Sequence, residues 1–163
     1  MDTDAAAEVA QHATAEEEVR VCLFGISGDL YAVTVDILAE VIIPQKIYPV
    51  PTTPSHVIGV ISLRGNIVPL VDIRPALSLP HTAGAGQAAI MRIGPMTIGV
   101  VVDAVMEVVA VPRSNILPLP SDLSVQDAAS KNRARYLKAL VQRPDGVAAL
   151  LNIERILDAI SLS

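Results

Sequence analysis

Residues 59–74 read GVISLRGNIVPLVDIR. This stretch predicts two short strands closed by a tight turn. Ile58, Val60 and Leu63 form the first apolar run; Ile67, Val68, Leu70, Val71 and Ile73 form the second. Gly65-Asn66 is the turn signal, because these two residue types tolerate positive φ best. Arg64 precedes that glycine at a strand end, where a long cation projects from a small sheet. Pro69 removes a ladder donor and so predicts an edge strand. Nothing here pairs a nucleophile with a base. The stretch reads as a surface for holding something.

The rest of the chain has the same texture. Of its 163 residues 52% are hydrophobic but only 2% aromatic, so packing falls to branched aliphatic side chains, which favour strands. Twelve prolines and nine glycines cut it into short pieces, as in barrels and sandwiches. The net charge of −5 and the scarcity of aromatic rings argue against nucleic-acid binding. Met96–Val111, the longest apolar stretch, is interrupted by Asp103 and Glu107 and is too short for a bilayer span. With an acidic N-terminus and a single cysteine, Cys22, the expected location is cytoplasmic. Apolar neighbours make Cys22 a buried structural thiol rather than a reactive one.

Taken in order, residues 1–18 predict a disordered acidic tail. Strands follow at 19–26 and 30–35 around Ser27-Gly28-Asp29, then a turn at Asp36–Ala39 and a strand at Glu40–Ile43 stopped by Pro44. Pro49, Pro51 and Pro54 force an extended crossing into the opening hairpin. Beyond the loop at 79–87, a hairpin turns at Gly94-Pro95, a strand covers 105–111, and the segment 121–135 is polar without a strand period. A last hairpin turns at Arg143–Gly146, and Asn152 caps a short helix over 153–160.

The chain repeats itself. Val35-Asp36-Ile37-Leu38-Ala39-Glu40-Val41 matches Val102-Asp103-Ala104-Val105-Met106-Glu107-Val108, and each match continues to a stopping proline, a Pro-x-Pro and a hairpin. This ordered recurrence predicts two similar small barrels, one over about 19–79 and the other over about 87–153, sharing a core.

With the repeat in place, the chain resembles the CheW family of coupling proteins. The carrying residues are Leu23-Phe24, Tyr31-Ala32-Val33, Ala39-Glu40-Val41-Ile42, the crossing to Pro54, and the strands around Arg64-Gly65. Ile98–Asp103, Pro118-Leu119-Pro120 and Leu150–Glu154 complete the series. The resemblance covers 19–160 and implies an all-β fold of two five-stranded SH3-like barrels packed together, with short helices. It implies a non-catalytic adaptor, without cofactor or metal, that joins the cytoplasmic tip of a chemoreceptor to the regulatory domain of a CheA-type histidine kinase. Other CheW-like proteins in an array are further implied partners, with recruitment to membrane-associated receptor arrays. It assigns partner binding to Leu38, Glu40, Gly59, Leu63 and Arg64, with Glu40 and Arg64 as an ion pair near the receptor-binding groove. Ser62 and Ala32 depart from the family's usual Asn and Gly.

Two readings stand beside this one. The same adaptor could serve surface motility or another non-flagellar output. An enzyme reading would make Asp72 and Asp103 the acid–base pair of a small hydrolase. Both aspartates begin post-strand turns, where capping of backbone N–H groups is the better reading. His12, His56 and His81 are dispersed without metal-ligand spacing, and Gly84-Ala85-Gly86 precedes a strand rather than a phosphate-binding helix.

Overall fold

The computed structural model describes residues 17–51, 56–80, 86–119 and 132–160. The acidic tail up to residue 16, the Gly84-Ala85 loop, His12, His81 and most of the polar segment 121–135 lie outside them. Among the described residues the chain runs through β1 (Glu18–Ile26), β2 (Asp29–Thr34), a 3-10 turn (Val35–Ile37), β3 (Leu38–Ile42), β4 (Val57–Leu63) and β5 (Asn66–Val71). There follow β6 (Gln87–Ile93), β7 (Met96–Val102), β8 (Ala104–Pro112), a second 3-10 turn (Arg113–Asn115), β9 (Ile116–Leu117), β10 (Leu137–Arg143), β11 (Gly146–Leu151) and helix α1 (Ile153–Ala159).

The strands form two small barrel sheets, in the orders β3-β6-β7-β5-β4 and β8-β1-β2-β11-β10-β9. The two-barrel, all-β expectation holds, but the boundary placed between 79 and 87 does not divide the barrels. Each half lends its opening hairpin to the other: β1 and β2 join β8–β11, while β6 and β7 join β3–β5. The first barrel is therefore continuous from Leu38 to Val102, and the second is assembled from both ends of the chain.

The exchange keeps the repeat intact. Gly59 faces Leu70 after a register shift, as Ala139 faces Leu150; β5 then pairs parallel with β7 at Leu70 and Gly99, as β11 does with β2 at Leu150 and Ala32. Even the sixth strand has a counterpart: β9 pairs with Leu140 and Val141, and Tyr48 bridges to Val60 with two 2.8 Å backbone hydrogen bonds.

The swapped hairpins are apolar on both faces because both faces are covered, as in any strand buried between layers. Along β1, Val21 and Leu23 pack in the second barrel with Ala32, Val141 and Ala148, whereas Cys22, Phe24 and Ile26 turn to the core between barrels. Along β6, Ala88 and Ile90 pack in the first barrel with Ile61, Val68 and Leu70, and Ala89 and Met91 face the shared core. Helix α1 closes that core with Ile153, Ile156 and Leu157. Its cap is as expected: the Asn152 side chain accepts a hydrogen bond from the Arg155 amide at 3.1 Å.

Two local expectations shift. The β4–β5 turn is Arg64-Gly65, with φ of 50° and 82°, and Asn66 already stands in β5 opposite Leu63. Positive φ at both central residues is the two-residue hairpin geometry whose twist matches the strands. Pro69 also lies on no edge, since β5 runs between β7 and β4. The parallel pairing to β7 begins at Leu70, one residue beyond the proline, so β5 is an interior strand all the same.

Candidate partner-binding site

Arg64 reaches from its turn to Glu40 on β3, forming an ion pair across the open end of the first barrel. Its side chain is 70% exposed, and Glu40 is half-buried. The hydrogen bond from Arg64 holds the Glu40 carboxyl below its ordinary value, and the charges of Arg64 and Arg92 act in the same direction against partial desolvation. The same bond raises the Arg64 guanidinium in turn.

The pair rims a cavity of about 370 Å³. Val68 and Ile90, both buried in the barrel core, line it, while Asn66, Thr97 and Arg92 join the ion pair as its polar groups. Ile67, 68% exposed, stands beside them. Leu63 lines this cavity and also a neighbouring apolar one with Ile42, Ile43, Tyr48, Ile61 and Ser62. Ser62, one of the departures from the family pattern, thus lies on an exposed face of β4.

The structure brings Glu40, Leu63 and Arg64 to one cavity, and places Leu38 and Gly59 elsewhere. Leu38 packs partly buried against the core between barrels, opposite Met91. Next to it Ile37 lines a narrow groove with Thr34, Ile93, Lys138, Leu150, Leu151, Ile153 and Glu154, contributed by both barrels and α1. Gly59 is buried under the crossing segment: a Cβ there would stand 2.6 Å from the Tyr48 carbonyl oxygen. Only glycine lets Tyr48 lie against β4 in this way.

The second barrel carries a counterpart that sequence reasoning did not pair. Arg143 Nη2 donates to Glu107 Oε1 at 2.8 Å. Glu107 occupies the position of Glu40 in the repeat, with the same register shift against the neighbouring strand. Around it Met106, Val108 and Val147 are exposed, Met106 by 62%. The repeat marked Glu107, but Arg143 ends β10 where Leu63 ends β4, one residue before the position of Arg64.

Asp72 and Asp103 do meet, but around a cation. Arg74 is buried to 2% exposure; its Nη1 donates to Asp72 Oδ1 at 3.1 Å and its Nη2 to Asp103 Oδ1. Asp72 Oδ1 also accepts from the Arg74 amide at 3.0 Å, and Asp103 Oδ2 from the Ser27 amide at 2.7 Å. Both carboxylates are thus committed to a guanidinium and to backbone donors, which overturns the hydrolase alternative. The triad ties the end of β5, the β7–β8 junction and the β1–β2 turn together. Burying a guanidinium is tolerable only with such partners.

His56 tethers the helix end, its Nε2 lying 2.7 Å from the Ile160 carbonyl oxygen at the end of α1. Among the described residues no helix is long and apolar enough to cross a membrane.

The CheW-like domain model matches residues 20–161. The chain is 30% identical over 152 residues to the chemotaxis protein CheW of Thermotoga maritima, spanning 92% of this chain and 95% of that one. It is 27% identical to CheW of Helicobacter pylori over 87% of this chain and 83% of the relative, and 33% identical to the protein FrzA of Myxococcus xanthus over 80% of each. The crystal structure of the scaffolding protein TtCheW from Thermoanaerobacter tengcongensis superposes with a TM-score of 0.70 at 24% identity, over 82% of this chain and 88% of that one. The chain belongs to the CheW-like domain family, whose members are adaptors of chemotaxis and not enzymes.

Proposed function

We propose that this adaptor couples the cytoplasmic tip of chemoreceptors to the regulatory domain of a CheA-type histidine kinase. The observation that carries the reading is that one two-barrel body offers two separate recesses. The charged mouth of the first barrel and the groove between barrels share no lining residue. An adaptor has to hold two partners at once, and separate surfaces on one shared core allow that without competition.

The narrow groove holds little more than a water itself, but at Ile93 and Glu154 it opens into a recess of about 230 Å³ lined also by Met96 and Leu157, and this wider part suits the apolar face of a helical receptor tip. The first barrel's mouth, with exposed Ile67, and the neighbouring recess bearing exposed Ile43 and Tyr48 suit a flat face of a folded kinase domain. Glu40, Leu63 and Arg64 belong to that face, which departs from the resemblance: it sets the ion pair near the receptor-binding groove, but the cavity the pair rims shares no lining residue with the groove between barrels. Leu38 serves the groove through its neighbour Ile37, and Gly59 serves the face by seating Tyr48. The ion pair fixes orientation. Receptor state reaches the kinase through the relative placement of the two partners, and binding to both recruits the protein to membrane-associated arrays, where other CheW-like proteins are neighbours.

Titration calorimetry against each partner tests this. Contacts near micromolar, about −8 kcal/mol each, are expected, with avidity in the array supplying the rest. Saturable binding to neither partner would remove the reading.

A second output is favoured by the 33% identity with FrzA, whose name sets it apart from the relatives called CheW. In that reading the adaptor is unchanged and the pathway drives surface motility or another non-flagellar response. Deleting the gene and scoring swimming against surface spreading separates the two.

A further inference from the structure

Arg92 sits on β6 opposite Thr97, exposed at the mouth of the first barrel. Glu40 is already engaged by Arg64, and Arg92 acts on it only through its field. The mouth therefore carries two guanidinium groups against one carboxylate, on a chain whose net charge is −5. While the mouth is open, water solvates Arg92. A partner that covered it with apolar surface would strand a desolvated cation, which is strongly unfavourable unless an anion accompanies it. Asn66 and Thr97 line the same recess and can hold the remaining lone pairs of an incoming carboxylate.

We propose that Arg92 is a specificity-determining residue that receives an Asp or Glu side chain from the regulatory domain of the kinase. This rests on the coupling function proposed above. The kinase domain is assigned, not the receptor tip, because Leu63 joins the charged mouth to the apolar recess bearing Ile43 and Tyr48. A surface of that breadth needs a folded face, whereas the coupling function proposed above assigns a helical tip to the seam between barrels. The guanidinium fork binds a carboxylate through two parallel hydrogen bonds, so charge and geometry both select the partner. It also rejects a partner face that lacks the acid.

The test measures the full chain and its Arg92→Gln and Arg92→Lys variants against the regulatory domain of the kinase and, separately, a receptor-tip fragment, at several salt concentrations. Arg92→Gln is expected to weaken kinase-domain binding about tenfold or more and to flatten its salt dependence. Arg92→Lys should fall between, keeping the salt dependence but not the full affinity. Receptor-tip binding and the melting temperature should stay at wild-type values. Unchanged kinase binding in Arg92→Gln overturns the proposal and leaves the coupling function standing. Equal losses for both partners, or a loss for the receptor tip alone, overturn it too. A wild-type chain that binds no kinase domain removes both the proposal and the reading beneath it.

Discussion

Glu107 accepts a hydrogen bond from Arg143 at 2.8 Å in the second barrel, where the repeat places the counterpart of Glu40. The two barrels thus keep the same acidic position on the strand that follows the 3-10 turn or the Asp103 junction, and each answers it with an arginine from the end of a hairpin. The arginines differ by one position. Arg64 lies in its turn and is largely exposed, while Arg143 lies in its strand and is mostly covered. The surroundings differ as well: polar groups and Arg92 at the first mouth, Met106, Val108 and Val147 at the second. A duplicated scaffold has diverged into two unlike ends.

The Glu40 carboxyl should titrate below the ordinary glutamate value of about 4.3 in a carbon-detected NMR titration. Because the folded-state value is depressed, the pair's contribution is complete above the ordinary value. It fades only as pH falls through the depressed one. In Arg64→Gln the midpoint should climb back towards the ordinary value. An unmoved midpoint would mean that the pair does not persist in solution.

Arg64→Ala should leave the melting temperature unchanged, since an exposed ion pair adds little to stability. The same variant should lose kinase-domain affinity by about tenfold or more, because its partner carboxylate is then unpaired under the docked surface. Calorimetry on a folded variant checks both halves, and wild-type affinity would assign the pair no role in docking.

Arg74→Ala should be far more damaging, by about 3–5 kcal/mol in denaturant unfolding, because it leaves the buried Asp72 without its cation. Arg74→Met, which fills the same volume, should lose nearly as much while Asp72 remains. Combining it with Asp72→Asn should recover part of the loss.

Gly59→Ala forces the crossing segment off β4, since the new Cβ meets backbone that no side-chain rotation can move. About 1–3 kcal/mol of stability should go with it, as in other overpacked sites. Amide exchange should rise at Tyr48 and Val60, which share the two backbone bonds of that bridge.

Cys22 should resist thiol reagents at neutral pH. Burial pushes its thiol up, so little thiolate forms in the native state. Labelling should proceed only at the rate of unfolding. Fast labelling of the native protein would place Cys22 on an accessible surface.

Strands, hairpins and the Asn152 cap were legible in the sequence because each rests on local chemistry: alternating aliphatics, Gly and Pro punctuation, and a capping side chain. The hairpin exchange was not. Cys22, Phe24 and Ile26 face one core while Val21 and Leu23 face another, so the run from Val21 to Ile26 reads as uniformly apolar and names no partner strand. Pro69 misled for a related reason, since a missing donor marks an edge only where a neighbour needs that donor, and β7 pairs one residue later. Arg64 and Glu40 came from the family resemblance, and the structure adds the cavity they rim. The Asp72–Arg74–Asp103 triad had one visible sign, an arginine amid Ile73 and Leu77, but its second carboxylate is 29 residues away from Arg74. Arg143 was hidden by its one-residue offset from Arg64.

Coupling, as proposed, requires one chain to hold both partners at the same time. Sedimentation velocity of the full chain with the kinase regulatory domain and a receptor-tip fragment, each above its dissociation constant, tests it most directly. A species heavier than either binary complex and containing all three proteins is expected. Two binary complexes that displace each other, with no heavier species at any ratio, would contradict it.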